Sequence, residues 1–273
     1  MDSSRTQQIE ASERSGVLHP DNVERFSAQW IEPAAQARDV IDTYWSVQWR
    51  LGNGEVIDQR IIDHPSVTLS IEHGDVLAPF VVSAVRAQAW RREIRGSGDV
   101  FALRLRPAGL AVLTDFAPAA LTGERAITRA DGRVHGFLEV IEQAPDAPSR
   151  ARAADLLICD LLQHRPFTEL QHLANAAVDL LTAEPIVRPV SEIASALNTS
   201  SRSLQRALQR TIGRGPAEVA RRIRLQEVVR RLSDERSTIA RIASDLGYTD
   251  QAHLTNEFRA VTGTTPGGYL TEK

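Results

Sequence analysis

The 273-residue chain holds one cysteine, one methionine and one lysine. The single cysteine, Cys159, excludes an internal disulfide and fits a reducing compartment. It sits in the apolar run "LLICDLL" and reads as a small buried hydrophobe. No run approaches the roughly 18 apolar residues that a membrane span needs, so no membrane partner is expected. The N-terminal "MDSSRTQQIEASERSG" is polar and acidic, the opposite of a signal peptide, and sets the expectation of a cytoplasmic protein. A glycine-rich phosphate loop and a G-x-S-x-G elbow are both missing.

What is present is arginine. With Lys273 the only lysine, nearly all the positive charge sits on a side chain suited to forked contacts with phosphate or guanine. The net charge of −3 conceals an asymmetry. From Ile186 to Lys273 there are 14 Arg or Lys against 9 Asp or Glu, a net of +5, which leaves −8 on the other 185 residues. A basic C-terminal third on an acidic body points to an anionic partner for that third, although a solvated basic face fits composition equally well.

Two textures divide the chain. Between residues 40 and 106 the pattern has period two: Trp45, Val47, Trp49 and Leu51 share a face, as do Val67, Leu69 and Ile71, and Phe101, Leu103 and Leu105. Such alternation predicts half-buried strands, with turns at "LGNG" and "EHGD". All four tryptophans lie in this part, and alternating aromatics in a small barrel are core more often than pocket lining. A polar linker, "EQAPDAPSR", separates this region from a helical one. There "ARAADLLICDLLQH" carries a stripe of Ala154, Leu157, Ile158, Leu161 and Leu162, able either to cover the barrel or to pair with a second copy. "HLANAAVDLLTAEP" predicts a further helix ended by Pro185 and Pro189.

A short helix, a turn and a longer helix then occur twice. In the first unit Ser191 can cap a helix with Ile193, Ala194 and Leu197 inward, "NTS" turns the chain, and Ser200 or Ser201 caps the next helix. Leu204, Leu208 and Ile212 form its buried stripe, which turns Arg202, Gln205, Arg206 and Gln209 outward. In the second unit Ile239, Ile242, Ala243 and Leu246 recur at helical spacing, Gly247 suits the position just past the helix end, and Thr249 can cap the next helix with Asp250 near its positive end. Leu254, Phe258 and Val261 point inward there. Ala252, Thr255, Asn256 and Arg259 point outward, with Gln251 and His253 at the margin. Guanidinium and carboxamide groups of this kind can make paired contacts to guanine and adenine in a major groove.

The first residues of the two longer helices, Ser201 and Asp250, are 49 apart. Between the units "PAEVARRIRLQEVVRRLS" predicts about 18 residues of helix, roughly 27 Å long. That length suits two readers about one DNA turn, some 34 Å, apart. For Arg221, Arg222 and Arg224 on this helix, phosphate contact, ion pairing and solvation all stay open. His253 has no Cys, His or carboxylate partner at ligand spacing and is not read as a metal ligand.

The segment "IASDLGYTDQAHLTNEFRAVTGTTPGGYL" resembles the C-terminal signature of AraC/XylS-type transcription regulators. "SRSLQRALQRTIGRGP" and "RRIRLQEVVRRL" match the same family's first unit and linking helix, so that the resemblance covers about residues 168–272. It implies two recognition helices in adjacent major grooves of double-stranded DNA. By position, the base-reading residues it implies are Arg202, Gln205 and Arg206 in the first helix and Gln251, Ala252, His253, Thr255 and Asn256 in the second; the expected DNA-contacting set adds Ser201, Arg210 and Arg259. Many members carry a basic residue where this chain has Asn256, which favours adenine or a neutral contact.

"VFALRLRPAGLAVLTDFAPAALTGE" is similar, less specifically, to cupin-like N-terminal domains found in some members, where they are thought to sense or dimerise. Metal-binding cupins carry H-x-H with a glutamate and a further histidine. Here His64 and His73 are nine residues apart and no H-x-H occurs. The expectation is therefore an α+β chain. Residues 1–145 form a small cupin-like β-barrel domain, 146–167 a helical linker, and 168–273 an all-α domain with two helix-turn-helix units on a long helix. No catalytic residue, metal or cofactor is expected, and the chain is not expected to be an enzyme. RNA polymerase, a small-molecule effector and a second copy of the chain stand as further candidate partners. Two alternatives stay open: a small-molecule-processing barrel fused to its own regulator, and a protein-interaction module.

Overall fold

The structure, a computed structural model, describes residues 6–8, 18, 25–183, 188–233 and 237–271. Among these, nine strands run in chain order: β1 (Thr6–Gln8), β2 (Phe26–Ile31), β3 (Ile41–Arg50), β4 (Val56–Ile61), β5 (Thr68–His73), β6 (Phe80–Ser83), β7 (Trp90–Arg95), β8 (Ser97–Leu105) and β9 (Glu124–Ala126). Four helices follow or interrupt them: α1 (Gly109–Leu113), α2 (Arg133–Glu142), α3 (Ala147–His164) and α4 (Glu169–Thr182).

The small cupin-like barrel that the resemblance implies for residues 1–145 is not closed. Seven strands form an antiparallel sheet in the order β1-β2-β3-β8-β5-β6-β9, while β4 and β7 pair only with each other. The chain leaves the large sheet after Arg50 to form β4, returns to it for β5 and β6, leaves again for β7 and re-enters at Ser97; the Leu51 N–H donates to the Gly96 carbonyl at 2.8 Å, setting the first departure beside the last return. The expected turns at "LGNG" and "EHGD" are present, with Gly54 and Gly74 in the left-handed region.

The faces follow the predicted alternation, but both are covered. Val67, Leu69, Ile71, Phe101, Leu103 and Leu105 pack under the helices. Trp45, Val47, Trp49 and Leu51 lie on the other face with Ile57 and Ile94 of the small sheet. Residues expected at a solvated face are thereby buried, among them Ser70 and Glu72. Glu72 is not buried alone: Arg92 donates to it at 2.7 Å and to Glu124 at 3.0 Å, Ser70 donates to it at 2.6 Å, and the Trp90 indole donates to Glu124 at 2.8 Å. A buried carboxylate without such donors would be strongly disfavoured.

Helix content begins before the linker, with Val134, Phe137, Leu138 and Ile141 of α2 facing the sheet. The linker itself turns helical at once. Asp146 caps α3 by accepting from the Ser149 amide at 2.7 Å, and Pro148 sits in the first turn, where no N–H partner is needed. Helix α3 lays Ala151, Ala154 and Ile158 on the sheet, with Leu157, Leu161 and Leu162 at the margin, so its stripe covers the sheet. Its buried Asp155 accepts from the Tyr44 hydroxyl at 2.8 Å and from the Ala34 amide. The next helix, α4, ends at Thr182; Pro185, expected to end it, lies outside the described residues. Asn175 of α4 bridges back to the sheet domain, accepting from the Ala108 amide at 3.0 Å and donating to the Asp39 carbonyl at 2.9 Å.

His64, between β4 and β5, has a buried Nδ1 with no hydrogen-bond partner. Burial, with the Arg104 guanidinium nearby, lowers its pKa from 6.5 to about 4. An unfolded chain takes up this proton near 6.5 and the folded chain only near 4, so below pH 6.5 the unfolded state binds more protons. Stability contributed by the neutral ring is therefore lost as pH falls across that interval. Replacing His64→Gln should flatten the fall in melting temperature between pH 6.5 and 4, measured by thermal unfolding; an unchanged slope would contradict this assignment.

Candidate nucleic-acid interface

Six further helices complete the chain: α5 (Val190–Ala196), α6 (Ser201–Ile212), α7 (Pro216–Leu232), α8 (Ile239–Asp245), α9 (Gln251–Thr262) and α10 (Pro266–Thr271). In the first unit Ile193 and Ala194 of α5 are buried. Pro189 occupies the cap position and Ser191 lies inside the helix, so Ser191 is not the cap. The turn passes through Asn198 in the left-handed region, with φ of 49°, a conformation that Asn tolerates better than most residues. Ser200 then caps α6, its hydroxyl accepting from the Ser203 amide at 3.1 Å.

Leu204, Ala207, Leu208, Thr211 and Ile212 form the buried side of α6. Ser201, Arg202, Gln205, Arg206, Gln209 and Arg210 are exposed. Arg202, Arg206 and Arg210 follow one another at four-residue intervals, which sets three guanidiniums along one line of the helix. The Gln209 amide is committed elsewhere, donating to the Gly213 carbonyl at 3.0 Å and closing the helix end.

The second unit repeats the layout with different chemistry. Thr238 caps α8 by accepting from the Arg241 amide, and Gly247 takes the left-handed conformation past the helix end, with φ of 69°. Asp250, not Thr249, caps α9: its carboxylate accepts from the His253 amide at 2.7 Å. An aspartate matches both the free amides and the positive end of the helix better than a threonine. Leu254, Phe258 and Val261 are buried, with Tyr269 of α10 packed 6.2 Å from the Phe258 ring centre. Gln251, Ala252, His253, Asn256 and Arg259 are exposed. Thr255 is half-buried and its hydroxyl donates to the Gln251 carbonyl at 2.8 Å, which turns it back onto the helix. The outer face of α9 thus carries one guanidinium, where α6 carries three.

Among the described residues, Arg202, Arg206, Arg210 and Arg259 enter no ion pair. Most arginines of the sheet domain behave differently, although Arg50 and Arg129 also enter no ion pair among the described residues. Arg92 pairs with Glu72 and Glu124, Arg104 with Asp42, Arg106 with Asp179, and Arg133 with Asp115. Positive charge is therefore left open along α6 and at the end of α9, the surface singled out by the helical spacing.

The linking helix α7 has 17 residues, roughly 26 Å at 1.5 Å per residue. Its arginines divide by what they touch. Arg221 reaches Glu257 of α9 at 3.5 Å, and Glu257 accepts from the Tyr248 hydroxyl at 2.9 Å. The Arg224 guanidinium lies 5.3 Å from the centre of the Tyr248 ring, and His253 meets the same ring edge-on. Burial raises the Tyr248 hydroxyl above its ordinary value, with the Glu257 charge acting in the same direction. This Tyr248–Glu257 support for α9 has no local signature in the sequence. Arg222 is buried. In the last turns of α7, Arg230 and Arg231 both donate to the buried Glu227, outweighing the burial that opposes its charge and holding its carboxyl below the usual range.

A helix-turn-helix domain family matches residues 193–272, and a domain family of unknown function, DUF6597, matches residues 29–126. A protein of Streptomyces antibioticus described as an AraC-like transcription regulator is 35% identical over 80 residues, 29% of this chain and 26% of that protein. A protein of Streptomyces lividans with the same description is 32% identical over 80 residues, again 29% of this chain and 26% of the other. This chain thus spans about a quarter of the length of the curated relatives it matches. Among solved structures, ToxT from Vibrio cholerae is similar with a TM-score of 0.44 and 12% identity over 84% of this chain and 98% of that one. The C-terminal domain of AraT, a response regulator from Geobacillus stearothermophilus, gives 0.33 and 21% over 40% and 88%. Residues 193–272 thus match a helix-turn-helix domain family, and 80 residues of the chain are similar to proteins described as AraC-like transcription regulators.

Proposed function

We propose that the chain is a sequence-specific double-stranded DNA-binding regulator of transcription, with α6 and α9 as readers in successive major grooves. The observation that carries this reading is the line of unpaired guanidiniums Arg202, Arg206 and Arg210 on an exposed helix face, beside the carboxamide of Gln205. Open charge of this kind is stabilised by phosphates, and the fork of arginine matches the edge of guanine. The site on α6 is Ser201, Arg202, Gln205, Arg206 and Arg210. On α9 it is Gln251, Ala252, His253, Thr255, Asn256 and Arg259.

The two readers divide the labour. With three guanidiniums, α6 supplies most of the phosphate attraction. Helix α9, with Gln251, Asn256 and one guanidinium, contributes base choice more than affinity. Residues 1–145 act as the sensory or dimerising domain and 146–167 join it to the DNA-binding domain at 168–273. RNA polymerase, a small effector and a second copy of the chain are the further partners this reading calls for, in the cytoplasm and without enzymatic activity.

The test is a salt titration of the full chain on DNA from just upstream of its own gene, beside random competitor. Log K should fall steeply with log salt, and one fragment should be preferred by about a thousandfold or more. No binding at low salt would sink the proposal. Within that assay, Arg206→Ala should cost about 1–3 kcal/mol on the preferred fragment if it grips a guanine. Arg210→Ala, acting on phosphate, should weaken all fragments alike and reduce the salt slope by about one. Equal affinity of Arg206→Ala and the unaltered chain for the preferred fragment would remove Arg206 from the base-reading set.

A further inference from the structure

The sheet domain does not hang beside the helix-turn-helix units; it is packed into both of them. Val85, in the loop between β6 and β7, belongs to the same buried cluster as Leu204, Leu208 and Val219 of the first unit. Leu18 and Ile62 belong to the cluster of Leu225, Leu254 and Phe258 of the second. Two further contacts touch the reader helices themselves. The Ala89 amide donates to the Val261 carbonyl of α9 at 2.8 Å. Gly213, just past α6, lies so near the short turn Pro118–Ala120 that a Cβ there would stand 2.9 Å from the Pro118 carbonyl oxygen.

Arg222 lies at the centre of this seam. Its Nε donates to the Asp63 carbonyl at 2.9 Å, and its Nη1 donates to the carbonyls of Arg86 at 3.1 Å and Gln88 at 3.2 Å. Its Nη2 pairs with the Asp63 carboxylate. Every one of these acceptors belongs to two loops of the sheet domain, at residues 62–66 and 84–89. Gln226, one turn further along α7, donates to the Ile62 carbonyl at 2.9 Å, and Arg214 donates to the Val85 carbonyl at 2.8 Å. The Arg222 side chain is only 5% exposed. A cation so far from water is stable only while its donors are satisfied, so the docked arrangement is the one this residue requires. Docking leaves the outer faces of α6 and α9 uncovered, since the proposed base-reading side chains stay exposed apart from the half-buried Thr255.

We propose that Arg222 is a positioning residue that keys the sheet domain onto the linking helix, so that the sheet domain braces both readers at one fixed separation. The brace acts on geometry and makes no contact with DNA; its consequence for binding rests on the DNA reading above. Each reader is gripped on its inner side by a different part of one rigid sheet domain. Spacing between the readers then depends on the seam as well as on α7. Loosening the seam should leave each reader folded while widening the range of separations they sample.

The test compares the full chain with its Arg222→Leu and Arg222→Lys variants in two measurements. In the first, amide hydrogen exchange, the Ala89 N–H should exchange at least tenfold faster in Arg222→Leu, while amides within α7 stay protected. Lysine keeps the charge and the stem but cannot span three carbonyls, so Arg222→Lys should fall between the two; it also serves should the leucine variant fail to fold. Unchanged Ala89 protection in a folded variant overturns the proposal. The second measurement uses a duplex selected by the unaltered chain from a random-sequence pool, with and without five base pairs inserted between its two protected segments. Insertion should weaken the unaltered chain at least tenfold and Arg222→Leu by less than threefold, and an equal loss in both overturns the brace. If the unaltered chain selects no duplex, the DNA reading fails while the exchange result still decides the docking.

Discussion

The arrangement of the C-terminal half depends on one constraint: α7 is buried along two different stretches by two different cores. Its first half gives Val219, Ala220 and Ile223 to the cluster of α4, α5 and α6. Its second half gives Leu225, Val228, Val229 and Leu232 to the cluster of α8, α9 and Tyr269. A helix is stiff over this length, so two units seated on it have a separation set by residue count. Burying aliphatic side chains on both sides, at roughly 1.5–3 kcal/mol for each fully buried one, ties each unit to its station. Removing a residue from the middle of α7 would rotate α6 against α9 by about 100°.

Charge is distributed on the same logic. The acidic body neutralises most of its own arginines, and even the buried Glu72 is held by Arg92 and Ser70. On α7, Arg221 is taken up by Glu257 and Arg222 by the sheet-domain loops. Helix α6 is exempt from this pairing, and its three guanidiniums face water. Leaving such groups unpaired costs a protein little at the surface. It also keeps them free for an external anion, which is how the asymmetry of charge along the chain becomes a property of one helix face.

Much of this was legible in the sequence because helical spacing is a strong signal. The stripe Leu204, Leu208, Ile212 and its counterpart Leu254, Phe258, Val261 each point one way only, and both are buried as the period required. Caps were less legible: Thr249 and Asp250 are both good cap residues, and which one enters the helix depends on backbone angles that no spacing records. Strand alternation located the faces of β3, β5 and β8 but not their pairing. Nothing in "VIDQRI" or "WRREIR" says that these strands prefer each other to the large sheet, so the open barrel was invisible. Arg222 was hidden for a related reason. Arg221, Arg222 and Arg224 are identical in type, and only packing against residues more than 130 positions away separates the buried one from its neighbours.

The most direct measurement is a hydroxyl-radical footprint of the full chain on the fragment it prefers from upstream of its own gene. Two readers held on one helix predict two protected patches on the same face of the DNA, centred about 10–10.5 base pairs apart. A single patch, or two patches on opposite faces, would contradict the two-reader arrangement.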